Sequence, residues 1–186
     1  MDNQYHEYLR AHYESYFNVK GNKLKWQLDP HKKIDEFFYV LEFPPNSKHD
    51  MWTYCSVGMS PGININVKIE LFIFSPKQDF TIVELLTVAA SYHKNALPLN
   101  IHHTFNIGRP WLDNSICDYC FISLPYLDGE GLELFTFNNE ITHSYWLIPI
   151  TEAEADYKME KGCNALEDLF EEKSIDYINP NRQSLV

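Results

Sequence analysis

Residues 67–94 read VKIELFIFSPKQDFTIVELLTVAASYHK, and the change of pattern inside this stretch decides the fold class. The first eight residues are a short apolar run rich in β-branched and aromatic side chains, closed by Ser75-Pro76, which is the composition of a strand. Pro76 has no amide hydrogen and fixes its own φ, so the strand stops there. Thr81 and Glu84 then stand at capping-box spacing. They open IVELLTVAASYHK, apolar nearly all round, which is the pattern of a buried helix.

Strand signals lie on both sides of this unit. Upstream are DEFFYVLEFPP (35–45), closed by Pro44 and Pro45, and MWTYCSV (51–57), ending at Gly58. Downstream are ICDYCFISL (116–124), LELFTF (132–137) and ITHSYWLIP (141–149). Their links, YLDGEG and NNE, carry the Asp-Gly and Asn chemistry of tight reversals, so the three read as an antiparallel meander. Tyr5, Tyr8, Leu9, His12, Tyr13, Tyr16 and Phe17 fall on one helical face, with His12 at the edge of the core. Thr151 and Glu154 repeat the capping-box spacing before a helix that Gly162 can end, and a short helix follows through 165–172. This order is not a regular βαβ alternation. It predicts an α+β (mixed α/β) fold: one central, largely antiparallel mixed sheet flanked by helices, a single domain over 1–186, with an N-terminal amphipathic helix in 1–20.

Composition narrows the function. With 186 residues, 12 Phe, 12 Tyr and 4 Trp, the chain is long and apolar enough to bury a core. No apolar run approaches the roughly 18–20 residues of a bilayer span. The polar N-terminus lacks the layout of a secretory signal, so a soluble cytoplasmic protein is expected. The net charge is −11, and it is uneven. Residues 1–90 hold 9 Lys and Arg against 11 Asp and Glu, whereas residues 91–186 hold 6 against 15. Such a balance argues against binding nucleic acid, whose phosphates need cations. It suits either a merely solvated surface or an encounter with a basic protein.

Motifs that could carry chemistry are few. Cys117 and Cys120 form a CxxC, but no second pair accompanies it, and the segment reads as a strand, where residues three apart face opposite sides. Structural cysteines are the preferred reading over zinc or redox chemistry. His102, His103 and Arg109, in IHHTFNIGRPW (101–111), could be a base with an anion clamp. No HExxH or GxSxG supports that. Gly108, Pro110 and Trp111 fit a shaped loop better, either a contact surface with an aromatic anchor or a packed internal loop. Gly58 to Gly62 is a turn without the GxxxxGK[ST] phosphate pattern. Arg182 reads as a cation tying the tail to an acidic surface, or as a partner contact. No cofactor and no metal are expected.

Several blocks, in order, resemble the Suppressor of fused-like domain: WTYCSVGMS (52–60), IELFIFSP (69–76), LLTVAASYH through HHTFNIGRPWL, ISLPYLDGEGLELF (122–135), YWLIPITEAEADYKMEKGCNALEDLFEE (145–172) and NPNRQS (179–184). The resemblance is strongest over 35–186. Family tails often read Asp-Pro-Asn-Arg-Pro-Ser, and here Asn179 and Gln183 depart from that pattern. The resemblance implies a mixed α/β domain without a catalytic constellation, similar to the stand-alone bacterial form of a larger animal protein that restrains a transcription factor. Such forms are thought to act as immunity proteins that bind and neutralise a cognate polymorphic toxin. The expectation is therefore a non-enzymatic protein-binding domain whose partner is a basic toxin domain. The alternative is a regulatory or scaffold module for a host protein or peptide. The candidate contact residues are His102, His103, Arg109, Trp111, Asp113, Asp128 and Glu130.

Overall fold

A computed structural model describes residues 3–27 and 34–186; Met1 and Asp2 of the expected N-terminal helix lie outside the described residues. The elements run α1 (Gln4–Phe17), β1 (Asn22–Leu24), β2 (Tyr39–Phe43), β3 (Trp52–Val57), β4 (Lys68–Ser75), α2 (Thr81–Asn95), β5 (Thr104–Asn106), β6 (Tyr119–Ser123), α3 (Glu130–Glu133), β7 (Leu134–Phe137), β8 (Glu140–Ile150), α4 (Glu152–Lys161) and α5 (Cys163–Glu172). The fold is α+β, and its described strands belong to one mixed sheet. The chain divides into two compact units, residues 1–101 with 124–146 and residues 102–123 with 147–186, so β8 contributes to both.

In the first unit the strand order is β1-β2-β3-β4-β8, with β7 also on β8. β1 to β4 are antiparallel neighbours, whereas β4 and β8 run parallel, from Lys68 opposite Thr142 to Phe72 opposite Trp146. β7 and β8 form a hairpin in which Phe137 pairs with Glu140. Its two turn residues, Asn138 and Asn139, both take positive φ, as a twist-matched two-residue turn requires. The expected meander is thus corrected: the hairpin forms, but β6 neighbours β8 and not β7. A run of local hydrophobicity cannot tell which distant strand it will pair with.

α1 buries Leu9, Tyr13 and Phe17, as its stripe requires, and His12 sits at the core edge bonded to the Leu132 carbonyl. His6 and Glu14 are buried as well, while Tyr8 stays exposed. α2 packs on β2 and β3 through residues such as Ile82, Leu86 and Ala90. Each large side chain so buried stabilises the fold by about 1.5–3 kcal/mol. The Thr81 capping box does not form. Thr81 is already helical, and Asp79 Oδ1 accepts from both its amide and its hydroxyl. α2 is also not buried all round, since Val88 and Tyr92 face solvent.

The turn at Gly58 holds an internal carboxyl group. Gly58 N and Met59 N donate to the buried Glu70 carboxylate at 3.0 and 2.9 Å, joined by Ser56 Oγ at 2.6 Å and Tyr5 OH at 2.9 Å. Gly58 has φ +99°, and a Cβ there would lie 2.5 Å from Nε2 of His6. Burial pushes the Glu70 carboxyl up to about 7 against the pull of these four donors.

In the second unit the order is β8-β6-β5, with α4 packed on β6 and against α5. The capping box at Thr151 and Glu154 is complete, and Gly162 ends α4 at φ +95°. Arg182 is buried on Glu154, which turns the expected tie to an acidic surface into an internal one.

Candidate functional site

The IHHTFNIGRPW stretch is a shaped loop in the second unit. His102 takes φ +66°, and its amide donates to the Ile122 carbonyl at 2.7 Å, while Ile122 N donates to the His103 carbonyl at 2.9 Å. The His102 ring stacks on Phe121 with 6° between planes, and its Nε2 lies 3.9 Å from Glu167 of α5. Glu167 in turn accepts from Ser123 Oγ. Both histidines are half-buried. Burial and nearby Lys158 lower the His103 pKa from the usual histidine range.

Beyond Asn106 the loop braces itself. Gly108 adopts φ +81°, Arg109 Nη1 donates to the Pro110 carbonyl at 2.8 Å and Trp111 N donates to the Cys117 carbonyl at 3.0 Å. Trp111 is only 1% exposed, so it cannot present its indole to a partner. Its candidacy as a contact anchor is corrected to that of a packing residue, because the large apolar ring that suits an interface suits a core equally well. Asp113 is exposed, and neighbouring Ile116 is an exposed apolar residue that the sequence reading missed.

Cys117 and Cys120 are buried, and burial pushes both thiols above the usual range, which keeps them neutral and weakly nucleophilic. Cys117 precedes β6 rather than lying in it. Among the described residues no three His, Cys, Asp or Glu side chains gather as a metal site.

Asp128 and Glu130 belong to the first unit, on the loop that leads into α3. The Asp128 carboxylate is buried, accepting from His49 Nε2 at 2.7 Å and Tyr16 OH at 2.8 Å. It clasps α1, the 44–51 loop and its own turn together, so its place among the contact residues is also corrected. Sequence spacing could show a turn residue here but not its distant partners. What the clasp supports is exposed: Tyr126 is 61% and Leu127 51% accessible, with Glu130 beside them on the surface. Two apolar side chains at a polar loop tip are a signal that YLDGEG carried and the sequence reading passed over.

The second unit also presents acids. Glu152, Asp156 and Glu160 are exposed on α4 around Met159, and Asp168, Glu171 and Glu172 are exposed on α5. Lys161 and Lys173 pair with Glu160 and Glu172 and leave the other carboxylates in excess. Among the described residues no helix is long and apolar enough to cross a membrane.

Comparison with known proteins sets these features in a family. The family model described as Suppressor of fused protein (SUFU) matches residues 35–183. A stretch of 62 residues is 37% identical to the immunity protein YqcF of Bacillus subtilis, covering 33% of this chain and 32% of that protein. Among solved structures, a Suppressor of fused homologue from Neisseria gonorrhoeae superposes with a TM-score of 0.86 at 29% identity, over 100% of this chain and 98% of its own. A Sufu–Fu complex gives a TM-score of 0.71 at 9% identity, over 97% of this chain and 92% of the other. Drosophila Suppressor of Fused gives 0.67 at 10% identity, and the shared fold spans 96% of this chain but 50% of the fly chain.

Proposed function

The chain belongs to the Suppressor of fused protein family, and from that premise we propose that it is a non-enzymatic, cytoplasmic immunity protein that binds and neutralises a basic toxin domain. The observation that carries this reading is the 37% identity to an immunity protein over 62 residues. The surface suits the task. Inhibition needs no reacting group; it needs a rigid frame, apolar anchors and charge opposite to the target. Tyr126 and Leu127, set on the buried Asp128 clasp, supply anchors in the first unit. The carboxylates of α4 and α5, with Met159 among them, supply the charge in the second. A stable complex would bury about 1,200–2,000 Å² in total.

Co-expression with the adjacent coding region tests this directly. The two products should co-purify, and the chain should restore growth to cells making the toxin. Association should slow markedly between about 0.01 and 0.1 M salt, as the Debye length shrinks from roughly 30 to roughly 10 Å. A rate indifferent to salt removes the electrostatic part. Turnover of a small compound by the pure protein, abolished by one substitution, ends the non-enzymatic reading.

A second reading is a regulatory module that receives a host protein or peptide. The fold shared with a chain solved in a Sufu–Fu complex favours it. So do the sheet-end positions of β1 and β5, which could accept an added strand. A regulator, rather than a secreted toxin, encoded alongside would support it.

A further inference from the structure

The turn that follows α1 builds a shallow cavity that neither reading of the function uses. Asn18 ends the helix in the left-handed region, at φ 52° and ψ 35°, and turns the chain back toward its last residues. Ala11, Glu14, Ser15 and Asn18 on the helix side, with Val19 and Lys20 after the turn, line about 370 Å³. Glu14 is buried, and its carboxylate accepts from Arg10 Nε at 2.9 Å, Lys20 Nζ at 2.6 Å and Gly21 N at 3.2 Å. Burial alone would raise that carboxyl, but these donors overcome it and hold it below its usual range, so Glu14 stays ionised. Arg10 and Lys20 thus meet one carboxylate, and the cavity keeps a positive charge in a chain of net charge −11.

We propose that this cavity is a binding site for a compact carboxylate. Lys20 is the cation that receives it. Its side chain is 87% exposed, and its bond to Glu14 leaves the other N–H groups of the ammonium for a ligand oxygen. Arg10 stays on Glu14 and on the Gly21 carbonyl at 3.3 Å, so the buried carboxylate keeps a counter-charge when Lys20 turns to a ligand. The Ser15 hydroxyl and the Asn18 amide are neutral donors in the lining, and Ala11 and Val19 offer methyl groups to a short alkyl chain. Size and charge select the class. The volume stands at the small end of ligand sites, which run from roughly 300 to 1,000 Å³, so the occupant is compact. A single positive charge matches one carboxylate. A phosphate suits the site less well, because Glu14 and the carbonyl end of α1, which carries about half a negative charge, repel its second charge.

Open to solvent and held by one ammonium, the ligand should bind weakly, with Kd on the order of 1 mM. Titration of the isotope-labelled full chain with sodium glutarate, from about 0.1 to 20 mM at constant ionic strength, should give saturable amide shifts in the stretch from Ala11 to Gly21. Glutaramide, of the same size but uncharged, should give none, and phosphate should bind more weakly than glutarate. Lys20→Gln, at an exposed position, should leave the unfolding curve in place and weaken glutarate by about tenfold or more, and Lys20→Arg should restore binding. Ala11→Glu, which sets a carboxylate at another exposed lining position, should abolish it. Acetyl-trialanine and its C-terminal amide separate the sources of the carboxylate. Tighter binding of glutarate assigns the site to a free small acid. Tighter binding of acetyl-trialanine, lost in its amide, assigns it to the end of a protein chain. Saturable shifts from neither acid, equal binding of glutaramide, tighter binding of phosphate, or undiminished binding in Lys20→Gln would overturn the proposal.

Discussion

Arg182 meets Glu154 in two parallel bonds of 2.7 and 2.6 Å, with both side chains buried, and so fastens the C-terminal tail to the N-terminus of α4. The same carboxylate closes the Thr151 cap and accepts from Leu185 N, while Arg182 also donates to the Pro149 carbonyl. Removing the guanidinium would leave a buried carboxylate without its counter-charge. Arg182→Met should therefore cost about 3–5 kcal/mol in urea unfolding. Arg182→Lys should recover only a part, since an ammonium cannot make the paired fork. A loss below about 1 kcal/mol would mean that the tail is held by something else.

Two buried groups with opposite preferences should tune stability across mildly acidic pH. His93 accepts from Leu99 N at 2.8 Å through Nδ1, and burial pushes its pKa down to about 4. Its folded form binds fewer protons than the unfolded chain, so its contribution is full above pH 6.5 and is lost as pH falls toward 4. Glu70, raised to about 7, does the reverse: its contribution is full below about 4.5 and is lost as pH rises through 7. The shifts correspond to about 3 kcal/mol each. The stability difference between wild type and Glu70→Gln should fall by that order between pH 4.5 and 7. The difference between wild type and His93→Gln should rise by it between pH 4 and 6.5. Parallel urea curves at four pH values would check both slopes, and pH-independent differences would refute the assignments.

The Asp128 clasp separates support from contact. Asp128→Ala strips His49 and Tyr16 of their shared acceptor and should destabilise the fold by about 1–3 kcal/mol. Binding should then weaken only as far as the Tyr126–Leu127 loop loses its shape. Hydrogen exchange should report this as faster opening over residues 124–130 with the sheet amides unchanged.

What could be read from residues alone was what their neighbours in sequence determine. Thr151 and Glu154 form the capping box that their spacing announces, because Thr151 itself stands in extended backbone at the residue just before the helix. Thr81 and Glu84 have the same spacing and fail, because Thr81 is already helical and Asp79, two residues before the helix, accepts from its amide and its hydroxyl. The strand runs of β2, β3 and β4 were legible from composition. β1 and β5, three residues each, were not, because they are too short to show alternation. The parallel pairing of β4 with β8 joins segments about seventy residues apart, and no local pattern encodes it. The candidate site divided along the same line. The loop of His102 and Arg109 was recognisable by its Gly and Pro, but burial of Trp111 and Asp128 is decided by tertiary partners.

Trp111 and Tyr126 form the last contrast, since residue type alone would make both of them anchors. Trp111 is fully enclosed, so Trp111→Ala should open a cavity and cost about 3–5 kcal/mol. Any loss of partner binding should then follow the fraction unfolded and be rescued at low temperature or by Trp111→Phe. Tyr126 is largely exposed, so Tyr126→Ala should change stability by less than about 1 kcal/mol. If the loop touches the toxin, that variant should weaken binding by at least about 1–2 kcal/mol with the unfolding curve in place, the behaviour of an interface anchor. Calorimetric titration beside urea unfolding of the two variants separates the cases. A Tyr126→Ala protein that binds as tightly as wild type would move the contact surface off this loop and onto the acidic helices of the second unit.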